Sequence, residues 1–316
     1  MDGSIMRNHL RSAVSVVALL VTFGVGGAGA QTSASTKYAS GQSLQPVYEG
    51  WEQNADGTYT MWFGYLNRNF EQRLNVPVGP DNNIQPGGPD RGQPTIFETA
   101  GKRRQQFAFK VVLPADWPKD RDLVWTVTAN GMKLTAIGSL WPVWLVNDDV
   151  IAANRGSQRI YDPKSMNQRP VVTEAAVGGT IAVGTPLILT LGVRDDGLPK
   201  RRRPGELAPG GAGGGGVVTK KDGVDERQPP LRDSLKVTWL QWRGPGTAKF
   251  EPDQARVLDA DGNQTSTGGK AMTQVTFDTP GTYVLRAYAE DMSVFSIPPD
   301  VTVTVSGDAA PGAGGR

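Results

Sequence analysis

Alternation of apolar and polar residues at every second position constrains the fold of this chain more than any other feature. Successive side chains of a β-strand point to opposite faces, so this period predicts strands with one buried face. In the N-terminal half the alternation covers residues 59–65, 107–113 and 123–136. The last segment is interrupted by Asn130-Gly131, which predicts a type I′ hairpin turn. With no helical period of useful length, residues 44–147 predict a β-sandwich with a jelly-roll-like arrangement.

The C-terminal half shows the same alternation in segments spaced as an immunoglobulin-like sandwich requires. We assign them as strands B, C, E, F and G, which correspond to residues 187–193, 235–239, 275–277, 283–289 and 301–305. Trp239, in strand C, is expected to occupy the core between the two sheets. The predicted fold class is therefore all-β, with a jelly-roll-like sandwich at 44–147 and an immunoglobulin-like sandwich at 171–306, both following a signal peptide.

Sequence motifs in the second predicted domain resemble a known group of extracellular domains. They are Val237-Thr238-Trp239, Gly244-Pro245-Gly246, the run from Pro280 to Asp291, and the closing run from Val301 to Val305. Together they resemble the polycystic-kidney-disease-type (PKD) and related immunoglobulin-like domains. The resemblance implies a sandwich fold and a role as spacer, adhesion module or enzyme accessory, because such domains serve all three purposes.

The first predicted domain resembles an uncharacterised N-terminal module of secreted bacterial proteins. The motifs that carry the resemblance are Tyr48 to Trp51, Phe63 to Asn69, Val78 to Asn82 and Asp90 to Pro94. This resemblance implies export and architecture and brings no activity with it.

The N-terminus has the three parts of a secretory signal peptide. Arg7 and Arg11 precede an apolar run at 13–23, and small residues fill 24–30. We expect cleavage after Ala30, a polar linker at 31–43, and a periplasmic or secreted protein. No later apolar stretch approaches the roughly 18 residues that a membrane-spanning helix needs, so the exported chain is expected not to span a membrane.

Composition removes several classes of chemistry. The chain has no Cys, and its single His, His9, lies in the predicted signal peptide. Disulfides, thiolate or imidazole metal sites, Cys nucleophiles and Ser-His-Asp arrangements are therefore excluded from the exported chain. The formal net charge of +2 argues against a nucleic-acid partner. We expect no cofactor other than a possible structural Ca²⁺.

That Ca²⁺ prediction comes from acidic residues at two strand ends. Asp195 and Asp196 end strand B, and Glu290 and Asp291 end strand F. Strands B and F point the same way in this topology, so the four side chains are expected at one pole, where carboxylate oxygens suit Ca²⁺. The alternative is that these acids cap turns or pair with nearby cations.

The nearby cations belong to an insertion between strands B and C, predicted to be disordered over residues 197–232. Lys200, Arg201, Arg202 and Arg203 form a basic run that could bind an anion such as phosphate or an acidic polysaccharide. The alternative is a solvated loop. Residues 148–170 are predicted to form a second linker, and 307–316 a disordered tail.

Tryptophans near predicted turns suggest a carbohydrate surface, since sugar rings stack on flat aromatic faces. Trp51, Trp141 and Trp144 are the candidates, with burial in a sandwich core as the alternative. We expect an exported, non-catalytic binding, adhesion or structural module, with a protein or polysaccharide partner in the envelope or extracellular space.

A carboxylate-dependent enzyme acting on polysaccharide, or its accessory subunit, is the alternative function. Asp81, Asp90 and Glu98 flank the Gly- and Pro-rich stretch 78–95, which is predicted to be a long loop or several turns. Glycoside chemistry needs two carboxyl groups about 5–10 Å apart in a cleft. The sequence does not indicate that these three converge.

Overall fold

The structure is a computed structural model that describes residues 37–99, 101–154, 161–162, 165–198, 235–291 and 293–307. Three predicted features lie outside these ranges: the signal peptide at 1–30, the insertion from residue 199 with its basic run Lys200–Arg203, and the tail from residue 308.

The first sandwich consists of two three-stranded sheets that face each other, with strand orders β1-β2-β6 and β4-β7-β8, and a short β3-β5 pair. Its described strands are β1 (Leu44–Gln53), β2 (Tyr59–Asn67), β3 (Leu74–Asn75), β4 (Asn82–Gln85), β5 (Ile96–Phe97), β6 (Arg104–Leu113), β7 (Leu123–Ala129) and β8 (Met132–Gly138). Aromatic rings from both sheets meet in the core: Phe63 stacks on Phe109 at 5.5 Å, and Trp125 meets Phe109 edge-on at 5.0 Å.

Two local predictions for this sandwich can be compared with the structure. The β7–β8 hairpin turns at Asn130 and Gly131, with φ angles of 49° and 75°, which confirms the predicted type I′ turn. The stretch 78–95 is more regular than predicted, because it contains β4, which pairs with β7.

A short connecting region follows the first sandwich. It contains a 3₁₀ turn (Pro142–Trp144), helix α1 (Asp148–Asn154), and the paired strands β9 (Tyr161–Asp162) and β10 (Ser165–Met166). Ile151 and Ala152 of α1 are buried, so this part of the predicted linker packs against the sandwiches. None of the helices in the described part of the chain is long and apolar enough to cross a bilayer.

The second sandwich has the strand order of an immunoglobulin-like domain. Its described strands are β11 (Val171–Glu174), β12 (Thr180–Ala182), β13 (Leu187–Arg194), β14 (Lys236–Arg243), β15 (Ala248–Glu251), β16 (Gln254–Arg256), β17 (Gly268–Phe277), β18 (Gly281–Glu290), β19 (Phe295–Ser296) and β20 (Val301–Ser306). One sheet runs β11-β13-β17-β15, and the other runs β12-β20-β18-β14-β16. The first order matches A-B-E-D of the immunoglobulin fold, and the run β12-β20-β18-β14 matches A′-G-F-C. Strand β16 lies beside β14 at the C′ position, but it follows β15, the strand in the D position, in the chain. Trp239 is fully buried between the sheets, as predicted.

The two sandwiches share an interface and belong to one compact unit that starts at Lys37. Trp242 of β14 is buried in the hydrophobic core of the first sandwich. Its backbone carbonyl accepts a hydrogen bond from the Thr95 amide at 3.1 Å. The Tyr288 hydroxyl of β18 also donates across the interface, to the Ala108 carbonyl of β6 at 2.7 Å.

A bidentate ion pair crosses the same interface and predicts a pH-dependent contribution to stability. The Arg243 guanidinium donates to both carboxylate oxygens of Asp90, at 2.7 and 2.8 Å, and lowers the pKa of Asp90. A carboxyl group with a depressed folded pKa stabilises the fold above its unfolded pKa of about 3.9, and loses that effect as the pH falls through the folded pKa.

We therefore expect Asp90→Asn to cost about 0.5 kcal/mol at neutral pH, since solvent screens a half-exposed pair. The difference from the wild type should vanish at a second, acidic pH, below the folded pKa of Asp90. Urea unfolding at both pH values measures it, with Asp116→Asn in an exposed turn as the control. A cost for Asp90→Asn that stays the same at low pH would contradict an electrostatic origin.

Candidate functional site

An exposed apolar segment connects β8 to α1. In this tryptophan segment, residues 141–145, the exposed fractions are 65% for Trp141, 79% for Val143, 46% for Trp144 and 53% for Leu145. Pro142 opens the 3₁₀ turn, where a fixed φ suits the first helical position. Contiguous exposed apolar residues on a folded protein mark interaction sites.

Strand β1 holds the tryptophan segment in place. The Trp51 indole donates to the Trp141 carbonyl at 2.8 Å, and the Trp51 carbonyl accepts from the Val146 amide at 2.8 Å. The Trp144 ring meets Tyr48 edge-on at 5.6 Å. A Cβ added to Gly50 would lie 2.6 Å from the Trp144 carbonyl oxygen, so this close approach depends on glycine. The structure thus brings Trp51, Trp141 and Trp144 together on one surface.

A groove of about 650 Å³, lined by both apolar and polar side chains, lies beside this segment. It is lined by Trp51, Glu52, Gln53, Leu145, Val146, Asn147, Asp148 and Arg169. The half-buried Trp51 forms part of its wall, and its ring packs edge-on against Tyr59 at 5.7 Å. Carboxylate, amide and guanidinium groups therefore stand next to an aromatic surface.

Arg169 organises the charged part of the groove. Its guanidinium lies 2.7 Å from Asp148 Oδ1 and 3.4 Å from Glu52 Oε2. The Trp62 indole donates to the other oxygen of Glu52 at 3.0 Å, and the Arg169 guanidinium lies 5.7 Å from the centre of the Trp62 ring. These contacts fix the side chains before any ligand arrives, which lowers the entropic cost of binding.

This arrangement suits a ligand that has both an apolar face and hydroxyl groups. An indole face can pack against the apolar side of a sugar ring. Carboxylate and guanidinium groups can exchange charge-assisted hydrogen bonds with the hydroxyls around the ring. A groove that combines an aromatic wall with hydrogen-bonding side chains is thus chemically suited to carbohydrate.

The acids predicted for Ca²⁺ separate into two groups. Burial, and after it the charge of Asp291, raises the pKa of Asp195 to about 7. Burial raises the pKa of Asp291 to about 6, and the charge of Asp196 contributes. Glu290 instead lies 3.4 Å from Lys236, because successive residues at a strand end point to opposite sides. Among the described residues, no three acidic, His or Cys side chains converge in a metal-binding arrangement.

The three acidic residues considered for a polysaccharide-acting enzyme do not lie in a common groove. Asp90 pairs with Arg243, and Glu98 pairs with Arg73 at 3.1 Å. Asp81 lines another groove, of about 470 Å³, whose lining does not include the other two. The lowered pKa of Asp90 is opposite to what a general acid needs.

Sequence reasoning missed the polar half of the groove. Asp148 and Arg169 lie in the segment predicted as a linker, and Glu52 follows Trp51 at the end of β1. Aperiodic polar residues give no pattern from which their convergence could be predicted.

No protein-family model and no curated protein matches this chain. Among solved structures, it is similar to the tandem Ig repeats of Dlar, with 11% identity, a TM-score of 0.29, and coverage of 84% of this chain and 98% of that chain. It is also similar to domains 4 and 5 of the S-layer protein SbsC, with 9% identity and a TM-score of 0.22, over 58% of this chain and 65% of that chain. At such low similarity, the immunoglobulin-like assignment rests on the sheet topology alone.

Proposed function

We propose that this chain is an exported, non-catalytic module that binds polysaccharide in the groove beside the tryptophan segment. The observation that carries the proposal is the convergence of Trp51, Trp141 and Trp144 next to a groove lined by hydrogen-bonding side chains. The predicted signal peptide supports a partner in the periplasm, the envelope or the extracellular space.

The charge of the groove favours polysaccharide over a protein partner. Glu52, Asp148 and Arg169 line its floor and walls, whereas the centre of a protein interface is depleted of charged residues. The groove is open to solvent, so a linear polymer could lie along it. Trp141 and Trp144, which are more exposed than Trp51, would extend the contact to neighbouring sugar units.

The second sandwich would support the first as a rigid spacer. Trp242 packs into the core of the first sandwich and Tyr288 donates a hydrogen bond to it. The binding surface would therefore keep a fixed orientation relative to β11–β20. The PKD-type resemblance of this domain and the secreted-module resemblance of the first domain are consistent with this role and stay predictions.

Removing the exposed indoles tests the proposal. Loss of one aromatic stacking contact costs about 1 kcal/mol, so Trp141→Ala and Trp144→Ala should each weaken polysaccharide binding roughly fivefold, and the double variant about thirtyfold. Affinity electrophoresis of the full chain against a panel of envelope and extracellular polysaccharides identifies the ligand, and titration calorimetry measures the affinity. Trp117→Ala, which changes a tryptophan in the turn before β7, is the matched control.

Two results would overturn the proposal. If no polysaccharide in the panel is retained by the wild-type chain, or if the double variant binds as well as Trp117→Ala does, the groove is not a polysaccharide site. If incubation releases new reducing ends and Glu52→Gln abolishes the release, the module is catalytic and the alternative function applies.

A further inference from the structure

Glu52, the acidic residue that β1 contributes to the groove, lies on the outer face of the β1-β2-β6 sheet. In the register of β1 against β2, Gly50 pairs with Trp62 and Glu52 pairs with Thr60. Residues that pair across two strands share a face, and so do residues two apart along a strand. Glu52 and Trp62 are therefore neighbours on the face opposite to the one that forms the first hydrophobic core.

Trp62 holds both charged groups on this side of the groove. Its indole N–H donates to Glu52 Oε1 at 3.0 Å, and the Arg169 guanidinium lies over its ring, 5.7 Å from the centre. Trp62 itself is only 2% exposed and does not line the groove. A ligand in the groove would touch the carboxylate and the guanidinium but not the indole, so Trp62 is a positioning residue.

The support of the groove continues into the second sandwich. Phe295 of β19 meets the Trp62 ring edge-on at 5.9 Å, within a buried cluster at the interface between the sandwiches. The next residue, Ser296, donates a hydrogen bond from its hydroxyl to the carbonyl of Pro170, which directly follows Arg169. Two consecutive residues of β19 thus contact the ring behind the groove and the segment that carries its arginine.

Strand β19 belongs firmly to the second sandwich. It pairs antiparallel with β18, where Phe295 lies opposite Glu290 and Ser296 lies opposite Ala289. Strand β18 is the central strand of its sheet, between β14 and β20. A displacement of the second sandwich would therefore carry β19 with it and withdraw both contacts from the groove.

We propose that β19 of the second sandwich positions the charged side chains of the polysaccharide groove. Phe295 acts through Trp62 on Glu52, and Ser296 acts through the backbone next to Arg169. Hydrogen bonds to sugar hydroxyls depend on the direction of the donor and acceptor groups, and a side chain that is already fixed loses less entropy on binding. The second sandwich is then part of the binding site as well as a spacer. This inference rests on the proposed polysaccharide function.

A double-mutant cycle tests the step from Trp62 to Glu52. The ligand is the polysaccharide that the wild-type chain retains most strongly in affinity electrophoresis, and calorimetry of the full chain measures the affinity. Trp62→Phe keeps an aromatic ring and removes the N–H donor, so the affinity should fall about fivefold, as for one lost hydrogen bond. In a Glu52→Ala background the same change should alter the affinity less than about twofold, because its effect passes through Glu52.

Substitution of Phe295 tests the contribution of the second sandwich. Phe295→Ala should weaken binding about fivefold in chains that urea unfolding shows to be folded, a coupling of the size usual for residues in contact. Phe295→Leu refills most of the contact and should recover most of the affinity. Phe250→Ala is the matched control, because Phe250 packs on the core of the second sandwich from β15. It should lower stability and leave the affinity unchanged.

The outcomes separate this inference from the proposed function. If the wild type binds a polysaccharide but Trp62→Phe and Phe295→Ala bind it equally well, the groove is a polysaccharide site in which β19 has no part. Equal losses for Trp62→Phe in both backgrounds, or for Phe250→Ala and Phe295→Ala, would also overturn the inference, since general destabilisation then explains them. If the wild type retains no polysaccharide, the proposed function and this inference fall together.

Discussion

Replacing Trp242 with alanine is expected to lower the free energy of unfolding by about 3–5 kcal/mol and to uncouple the two sandwiches. The side chain belongs to β14 of the second sandwich, yet it is 1% exposed within the hydrophobic core of the first. Its ring lies 6.2 Å from Phe109, and the Arg286 guanidinium lies 3.7 Å from the ring centre. Its indole donates to the Gly92 carbonyl at 2.9 Å.

Truncation of Trp242 removes three kinds of contact at once. It leaves a cavity in the first core, an unpaired carbonyl at Gly92, and the Arg286 guanidinium without the ring that covers it. Because this residue joins two cores, the loss should appear in their coupling as well as in total stability. A single unfolding transition should then separate into two.

Urea unfolding followed by far-ultraviolet circular dichroism measures both effects. Trp242→Phe retains most of the packing and is the matched variant, for which we expect a smaller loss and one transition. Trp239→Ala removes the same residue type from the opposite face of the same strand, inside the second core alone. A cost for Trp242→Ala below about 1 kcal/mol, with one transition retained, would show that the ring does not couple the sandwiches.

The sequence predicts the burial of Trp239 but not that of Trp242, because only the second depends on contact between the two sandwiches. Alternation correctly assigned Trp239 to the core of the second sandwich, because a period of two relates positions within one sheet. The same rule places Trp242 on the opposite face, which an isolated immunoglobulin-like domain exposes to solvent. That face is covered by the first sandwich, and no local pattern signals an interface between two domains.

In strand β6, the predicted face of one side chain is wrong, and the cause is local. The sequence placed Phe107 on the same face as Phe109, but Phe107 packs with Trp62, Leu240 and other residues at the interface. The register of β6 against β2 shifts in this region, and Phe107 has a φ of 50°, so the strand bulges and the side chain changes face. A bulge inserts one residue into the alternation, and periodicity alone does not reveal it.

The candidate site was predictable in part. The tryptophans could be proposed because they lie near predicted turns, where sugar-binding aromatic residues can be exposed. Arg169 could not, because its position depends on how the connecting region folds back onto β1. For the four acids proposed as Ca²⁺ ligands, the topology predicted a common pole where β13 and β18 end. Strand alternation separates Glu290 from Asp291, a consequence of the same period that predicted the strands.

A second large loss of stability is expected on substitution of Asn82, which lies within the stretch 78–95 that was predicted to be a long loop or several turns. Its fully buried side chain donates to the Val76 carbonyl at 2.9 Å and the Pro94 carbonyl at 2.8 Å, and accepts from the Trp125 indole at 3.0 Å. One side-chain amide thus provides hydrogen-bond partners for three buried groups. It links β4 to the segments before and after it and to the hydrophobic core.

Asn82→Ala should therefore destabilise the protein by about 3–5 kcal/mol, because two carbonyls and one indole N–H lose their partners in a dry environment and each costs about 1–3 kcal/mol. Asn83→Ala is the matched control, since the Asn83 side chain is partly exposed and donates a hydrogen bond to the Pro80 carbonyl at 2.9 Å, near the surface. We expect that neighbouring change to cost less than about 1 kcal/mol in the same urea titration. An equal loss of unfolding free energy in the two variants would contradict this prediction. It would mean that water replaces the hydrogen bonds of the Asn82 amide, and that backbone pairing with β7, not this side chain, stabilises the stretch 78–95.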